Sequence, residues 1–303
     1  MPKAALYVPG QTDPFKLSRA KIEDFIRCPR CFVLEVKHGV KKPGGVPFTL
    51  NNAVDNQLKK EFDIYRAKGE PHPIALGSGL ELIPFSHPEL DTWRENFKGL
   101  RFTTSDDKFT ITGAVDDIWV DSEGILTVVD YKATGRREAV TVLGEGGFYD
   151  GYRRQLEIYQ WLLRKSGFKV SDTGYWVYVT ATQKQDRFDN TLHFESNLVS
   201  YKGESSWIEP TLESIYANLN EPEVPGPAAD CDYCIFFEAR ASGAIEWHEL
   251  VWKNCEDCGS RMLKTIYGLL TGEPPSGHIA MGCLVSDNDP EWLCPKCDLE
   301  DKS

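Results

Sequence analysis

Apolar residues fall at helical spacing in several stretches of the chain and crowd into β-type runs between them. Ile22, Phe25 and Ile26 give one apolar face to a helix over Arg19 to Arg27, with Ser18 as its N-cap and Pro29 as its stop. Lys41-Lys42-Pro43-Gly44-Gly45 reads as a loop. Val54, Leu58, Phe62 and Tyr65 mark the buried side of a second helix, Asn52 to Ala67, and a shorter helix is expected over Glu89 to Phe97. The pattern then changes period. Phe109 to Val120 is rich in β-branched and aromatic residues and reads as a strand; Asp121-Ser122-Glu123-Gly124 is a turn, and Ile125 to Tyr131 the returning strand. Tyr152, Leu156, Tyr159 and Leu163 define the clearest helix, Tyr149 to Lys165. Strands over Gly174 to Thr182 and Thr191 to Asn197 and a helix over Trp207 to Asn218 follow. Three prolines make Glu221 to Ala229 a linker, and beyond Ala241 periodic structure gives out. The pattern predicts an α/β domain over 1–240 and a small module over 241–303.

Composition narrows the class. With 303 residues, 41% of them hydrophobic and 26% charged, the chain can bury a sizeable core, and global disorder or a fibrous repeat is excluded. No apolar run is long enough to span a bilayer, and Met1 to Phe15 lacks the long apolar stretch of a secretory signal, so a cytoplasmic protein is expected. The net charge of −12 excludes a uniformly basic nucleic-acid coat. It is unevenly spread. Residues 1–66 hold 12 Lys and Arg against 7 Asp and Glu, whereas residues 241–303 hold 5 against 11.

Cysteine changes the picture most. Eight of the nine cysteines form four C-x-x-C pairs: Cys28/Cys31, Cys231/Cys234, Cys255/Cys258 and Cys294/Cys297. In a compartment that keeps thiols reduced, such spacing points to metal thiolate sites before disulfides. The last two pairs read as knuckles whose thiolates come off tight turns, with Gly259 supplying one sharp backbone, and together they predict a structural Zn²⁺ site. Tyr267 to Leu269, Met281 to Cys283 and Pro290 to Trp292, lying between the knuckles, resemble small zinc-ribbon modules. Cys283, the odd cysteine, reads as a buried or neighbouring thiol and not as a fifth ligand. The module's acidity argues against tight phosphate contact and for a stabilising or protein-contact role.

Catalytic chemistry concentrates in Gly-Ala-Val-Asp (113–116) and Asp-Tyr-Lys (130–132). Residues i and i+2 of a strand share a face, so Asp130 and Lys132 project together, across one turn from Asp116. Two converging carboxylates suit Mg²⁺ or Mn²⁺, which activates water and neutralises charge growing on a phosphoryl oxygen. Lys132 can position that water or stabilise the transition state. Gln155 and Tyr159, four apart on one helix, can reach the same site. The plainer reading makes Asp130 and Lys132 a surface ion pair, Asp116 a turn residue and Tyr159 core packing.

The order G-x-x-D, D-x-K, Q-x-x-x-Y, with the opening Leu17-Ser-Arg-Ala-Lys-Ile-Glu-Asp-Phe-Ile-Arg-Cys-Pro29, resembles the RecB-like branch of the PD-(D/E)XK nuclease superfamily over about Leu17 to Phe236. The resemblance implies a restriction-endonuclease-like core, a central mixed sheet flanked by helices, and metal-dependent hydrolysis of DNA. By the same resemblance Asp116 and Asp130 are metal ligands, Lys132 is the catalytic lysine, and Gln155 and Tyr159 orient the site. Many RecB-like nucleases carry a histidine on the helix after the first loop. Here Asp55 stands there, either as a third oxygen ligand or as an exposed helix residue. RecB-like nucleases related to AddB and to the CRISPR-associated exonucleases pin their C-terminus to an early cysteine through a [4Fe-4S] cluster, usually with one early cysteine and three late ones. Cys28, Cys31, Cys231 and Cys234 are arranged two and two, which suits an iron-sulfur cluster, tetrahedral Zn²⁺ or unmetallated core thiols. Arg19, Arg27, Arg30, Lys41 and Lys42, with Lys21, Lys37, Lys59 and Lys60, either line a DNA path or form a solvated face. Two functions stand at this point: a metal-dependent nuclease of repair, recombination or defence, acting on single-stranded or end-bearing DNA, and a catalytically inactive metal-stapled nucleic-acid-binding or scaffold protein. No Walker A loop is present, so a partner helicase, or another protein met through the zinc ribbon, would be a separate chain.

Overall fold

The structure is a computed structural model and describes residues 5–45, 49–241, 255–260, 262–268, 278–282 and 289–298. The chain forms two compact units, Met1–Cys231 and Asp232–Ser303.

The first unit begins with β1 (Phe15–Ser18), α1 (Arg19–Arg27), α2 (Pro29–Val36), α3 (Thr49–Lys68), α4 (Pro73–Gly77), β2 (Ile83–Pro84) and α5 (Leu90–Arg94). There follow β3 (Leu100–Thr103), β4 (Phe109–Gly113), β5 (Asp117–Val120), β6 (Leu126–Arg136), α6 (Gly147–Lys165), β7 (Thr173–Thr182), β8 (Phe194–Lys202) and α7 (Ile208–Asn220). Ser18 caps α1 as its sequence predicts, its hydroxyl accepting from the Lys21 N–H at 3.3 Å. Pro29 ends α1 and also opens α2, since a residue without an N–H is tolerated in the first turn of a helix.

The expected strand Phe109 to Val120 is two strands. It breaks at Ala114-Val115-Asp116, and its halves lie in different sheets, β4 in the order β1-β4-β3 and β5 in the order β2-β5-β6-β7-β8. In the larger sheet β5 and β6 are antiparallel, β6 and β7 parallel, β7 and β8 antiparallel. It is therefore a mixed sheet flanked by helices. α6 connects the parallel pair and packs on β3, β4 and β6, while α3 packs on β6 and β2. The two-residue period of the strands sorts their side chains. Ile118, Val128, Trp176 and Tyr178 enter the core shared with Leu156, Tyr159 and Leu162 of α6. Trp119, Val129, Tyr131, Val177 and Val179 enter a second core with Phe62 of α3. Asp130 and Lys132 share the face of Val128, so they point toward α6.

The second unit contains α8 (Asp232–Ala241), β9 (Leu263–Ile266), β10 (His278–Ala280) and β11 (Trp292–Leu293). β9 runs between β10, parallel to it, and β11, antiparallel. No helix among the described residues is long and apolar enough to cross a membrane. Cys283 lies outside the described residues.

Candidate active site and metal centres

The break between β4 and β5 positions Asp116. With its backbone outside both sheets, Asp116 turns its carboxylate to the β6 strand, where Oδ2 accepts from the Tyr131 N–H at 3.0 Å. From the α6 side, Gln155 Nε2 donates to Asp130 Oδ1 at 2.9 Å and to the Tyr159 hydroxyl at 3.1 Å. Lys132 Nζ donates to Asp130 Oδ2, lies 3.5 Å from Gln155 Oε1, and sits 4.6 Å from the centre of the Tyr152 ring. The five residues singled out from the sequence, Asp116, Asp130, Lys132, Gln155 and Tyr159, are thus brought to one place. Gly113 permits it, because a Cβ there would stand 2.8 Å from Cε1 of Tyr159.

Asp55 reaches the same place. It lines, with Asp116, Lys132 and Tyr152, a cavity of about 280 Å³. Lys59 bridges the two carboxylates, 2.8 Å from Asp55 and 3.3 Å from Asp116. Asp130 is fully buried.

The electrostatics follow from crowding acids and lysines together. Burial raises the Asp130 carboxyl well above the ordinary carboxylate range, and the Asp116 charge adds to the rise, while Lys132 opposes both. Burial acts on Asp116 in the same sense, but Lys59, Lys132 and the Tyr131 N–H outweigh it and hold that carboxyl below its ordinary value. Asp55 is raised by burial and by Asp116. Lys132 is raised: burial would lower it, and Asp130 and Asp116 prevail.

Does this donor set fit a divalent cation? Asp116 and Asp130 are hydrogen-bonded carboxyls. Their positive company is supplied by two lysine side chains, which marks the position as one built for positive charge. All-oxygen donors suit Mg²⁺ or Mn²⁺. Asp55 is joined to Asp116 through Lys59, and the three carboxylates do not close on one another to within 4.8 Å.

Sequence reasoning missed the group behind the site. Asp117 is buried and accepts from Arg66 Nη2 at 2.6 Å, Arg94 Nη2 at 3.0 Å and the Tyr131 hydroxyl at 2.8 Å. Arg94 Nε also donates to the Asp116 carbonyl at 3.0 Å. The one available signal was the doubled Asp116-Asp117 in a buried strand, because an acid on the core side of a strand needs a partner.

The cysteines form no disulfide among the described residues. In the first unit Cys28, Cys31 and Cys231 gather their sulfurs within 4.8 Å of one another, with Cys31 and Cys231 3.6 Å apart. Burial would raise the Cys28 thiol, but backbone N–H groups and the neighbouring thiols bring it down to about 7, in the direction a metal thiolate needs. Cys234 follows Cys231 by three residues, in the first turn of α8. In the second unit Cys255, Cys258, Cys294 and Cys297 also lie within 4.8 Å of one another. Each pair has a knuckle's backbone: Cys255 N–H to the Ser260 carbonyl at 2.8 Å, and Cys297 N–H to Cys294 Sγ at 3.4 Å. Gly259 has a φ of 67° at the first turn. Four sulfurs so placed could hold Zn²⁺ or a cluster.

The basic residues are only partly available for DNA. Lys42 is paired with Asp24, Arg27 with Glu23, and Lys21 with Asp24 and Glu35. Lys59 belongs to the carboxylate site. Arg30 is half-buried and Lys41 exposed in the loop after α2. Arg19 lies close enough to Tyr159 to act on its hydroxyl.

A family model of the PD-(D/E)XK nuclease superfamily matches residues 50–238. A solved structure titled "Crystal structure of SSO0001" is 18% identical, spanning 77% of this chain and 87% of its own, with a TM-score of 0.30. No curated protein matches the chain.

Proposed function

The chain belongs to the PD-(D/E)XK nuclease superfamily, and from that premise we propose that it is a divalent-metal-dependent deoxyribonuclease of RecB-like type that hydrolyses phosphodiester bonds in single-stranded or end-bearing DNA. The observation that carries the reading is the hydrogen-bonded chain Tyr159–Gln155–Asp130–Lys132 beside Asp116. A structural ion pair would not require a buried amide to orient it, nor a second, half-buried carboxyl against the first.

In this reading Asp116 and Asp130, with Asp55 beside them, would hold Mg²⁺ or Mn²⁺. When bound, the cation activates water and offsets charge on the phosphoryl oxygens. Lys132 presents its ammonium at the cavity wall, where it steadies the attacking water or the charge of the transition state. Gln155 fixes the Asp130 carboxylate and is itself held by Tyr159, so both act by positioning. Cys28, Cys31, Cys231 and Cys234 form a structural thiolate clamp for Zn²⁺ or a [4Fe-4S] cluster, because C-x-x-C spacing keeps Cys234 beside Cys231. Residues 241–303 form a zinc-ribbon-like module held by Cys255, Cys258, Cys294 and Cys297, acidic enough to favour a protein partner such as a helicase over phosphate. C-x-x-C pairs serving as thiolate ligands fit a cytoplasmic protein of repair, recombination or defence.

The test is cleavage of end-labelled DNA by the full chain in Mg²⁺ or Mn²⁺. Wild type should cut. Lys132→Ala and Asp130→Ala should each lose at least about a hundredfold in rate, the scale of one charge-stabilising group. No cutting by the wild type favours the inactive nucleic-acid-binding scaffold, and undiminished cutting by both variants overturns the assignment of the activity to this site.

A further inference from the structure

Phe97 is 85% exposed, and no large hydrophobic side chain among the described residues is more so. Its φ is 73°, in the left-handed region that bulky residues rarely adopt and that glycine occupies freely. A turn of this kind needs no phenylalanine, and an outlier at such a position points to use. The surroundings hold the residue firmly in place. Its carbonyl accepts from Lys16 Nζ and from Arg101 Nη2. Two residues on, Gly99 presses against the Gly113 carbonyl so closely that a Cβ would stand 2.5 Å away. Three residues back, Arg94 binds the Asp116 carbonyl. The turn bearing Phe97 is therefore fastened at both ends to the segment that carries Asp116.

Phe97 also lies beside the site. It lines a cavity of about 260 Å³ with Lys16, Arg19 and Tyr159, and that cavity shares Asn96 and Ala114 with the one containing Asp116 and Lys132. Cationic side chains for a backbone, a presented aromatic face and an adjoining cavity lined by Asp116 are the parts of a single-strand binding channel.

We propose that Phe97 is a stacking platform for a base of single-stranded DNA, with Lys16 and Arg19 carrying the adjoining phosphates as the strand enters the Asp116 cavity. The inference rests on the nuclease reading and names how its substrate is gripped. A base already paired and stacked in a duplex offers Phe97 no free face, so the contact selects single strands.

The experiment measures binding of a fluorescent oligothymidine to the full chain by anisotropy in Ca²⁺, with cleavage in Mg²⁺ and Mn²⁺ measured separately. Phe97→Ala should weaken binding roughly tenfold, and Phe97→Trp should preserve it. A series of oligomers with one abasic site moved along the strand should contain a position that weakens wild-type binding and leaves Phe97→Ala unaffected. Phe97→Gly separates function from structure: it should melt at or above the wild-type temperature, its backbone strain relieved, while binding as weakly as Phe97→Ala. Equal affinity of wild type and Phe97→Ala, or an abasic effect identical in both, overturns the inference even if the chain cuts DNA. Absence of cutting in both metals tells against the nuclease reading, whatever the anisotropy gives.

Discussion

Asp117 is the residue on which the site's rigidity turns. It is wholly buried, and its charge is met by two arginines from separate helices and one tyrosine hydroxyl from the neighbouring strand. Removing one member of such a group leaves the others charged and unsolvated, which costs more than the pair contributed. Asp117→Ala should therefore lose about 3–5 kcal/mol in urea unfolding, whereas Tyr131→Phe, which removes one hydrogen bond and no charge, should lose only about 1 kcal/mol. Similar losses for both would mean that Asp117 is solvated by something other than Arg66 and Arg94. The same contrast explains what the sequence disclosed at this scale. Asp130 with Lys132 and Gln155 with Tyr159 are legible because each pair is set by one element's own period. Lys59, Arg66 and Arg94 are not, because each reaches the site from an element 22 to 57 positions before Asp116, and nothing local links them to it.

At the scale of elements, the two sheets meet where β4 gives way to β5, and α6 spans the join. Gly113, the last residue of β4, lies under the Tyr159 ring and the Leu162 side chain of α6. A methyl group there would approach Tyr159 at 2.8 Å and Leu162 at 3.1 Å, closer than packed carbons come. Gly113→Ala should push α6 outward, cost about 1–3 kcal/mol, and lower cleavage by loosening the Tyr159–Gln155–Asp130 chain. Stability equal to wild type in chemical denaturation would show that α6 does not seat there. Helix α6, the β5–β6 hairpin and β7 were all legible, having long, regular apolar patterns. The break at Ala114 to Asp116 was not. Phe109 to Val120 reads without interruption as strand, because Val115 is as β-prone as its neighbours and buried like them; only the tertiary contacts separate the halves. β1 and α2 escaped notice for a related reason: four residues carry little periodicity, and Pro29 looks like an ending when it is also a beginning.

The two units differ in what holds them. The first has two apolar clusters, one on each face of its larger sheet. Among the described residues of the second, the buried side chains are Cys234, Cys255 and Cys294, and its sheet is built from strands of four, three and two residues. So little apolar burial does not offset the entropy of ordering a chain segment, and small units of this kind fold on a metal. The sequence made this legible through spacing alone, since C-x-x-C fixes a knuckle where periodicity is silent. In the proposed reading the second unit's order depends on metal bound by Cys255, Cys258, Cys294 and Cys297. Stripping metal with a strong chelator should abolish hydrogen-exchange protection in Leu263–Ile266 while leaving β6 and β7 of the first unit protected, and Cys258→Ser with Cys297→Ser should do the same without the chelator. Protection of Leu263–Ile266 that survives both treatments would mean the unit is held by something other than bound metal.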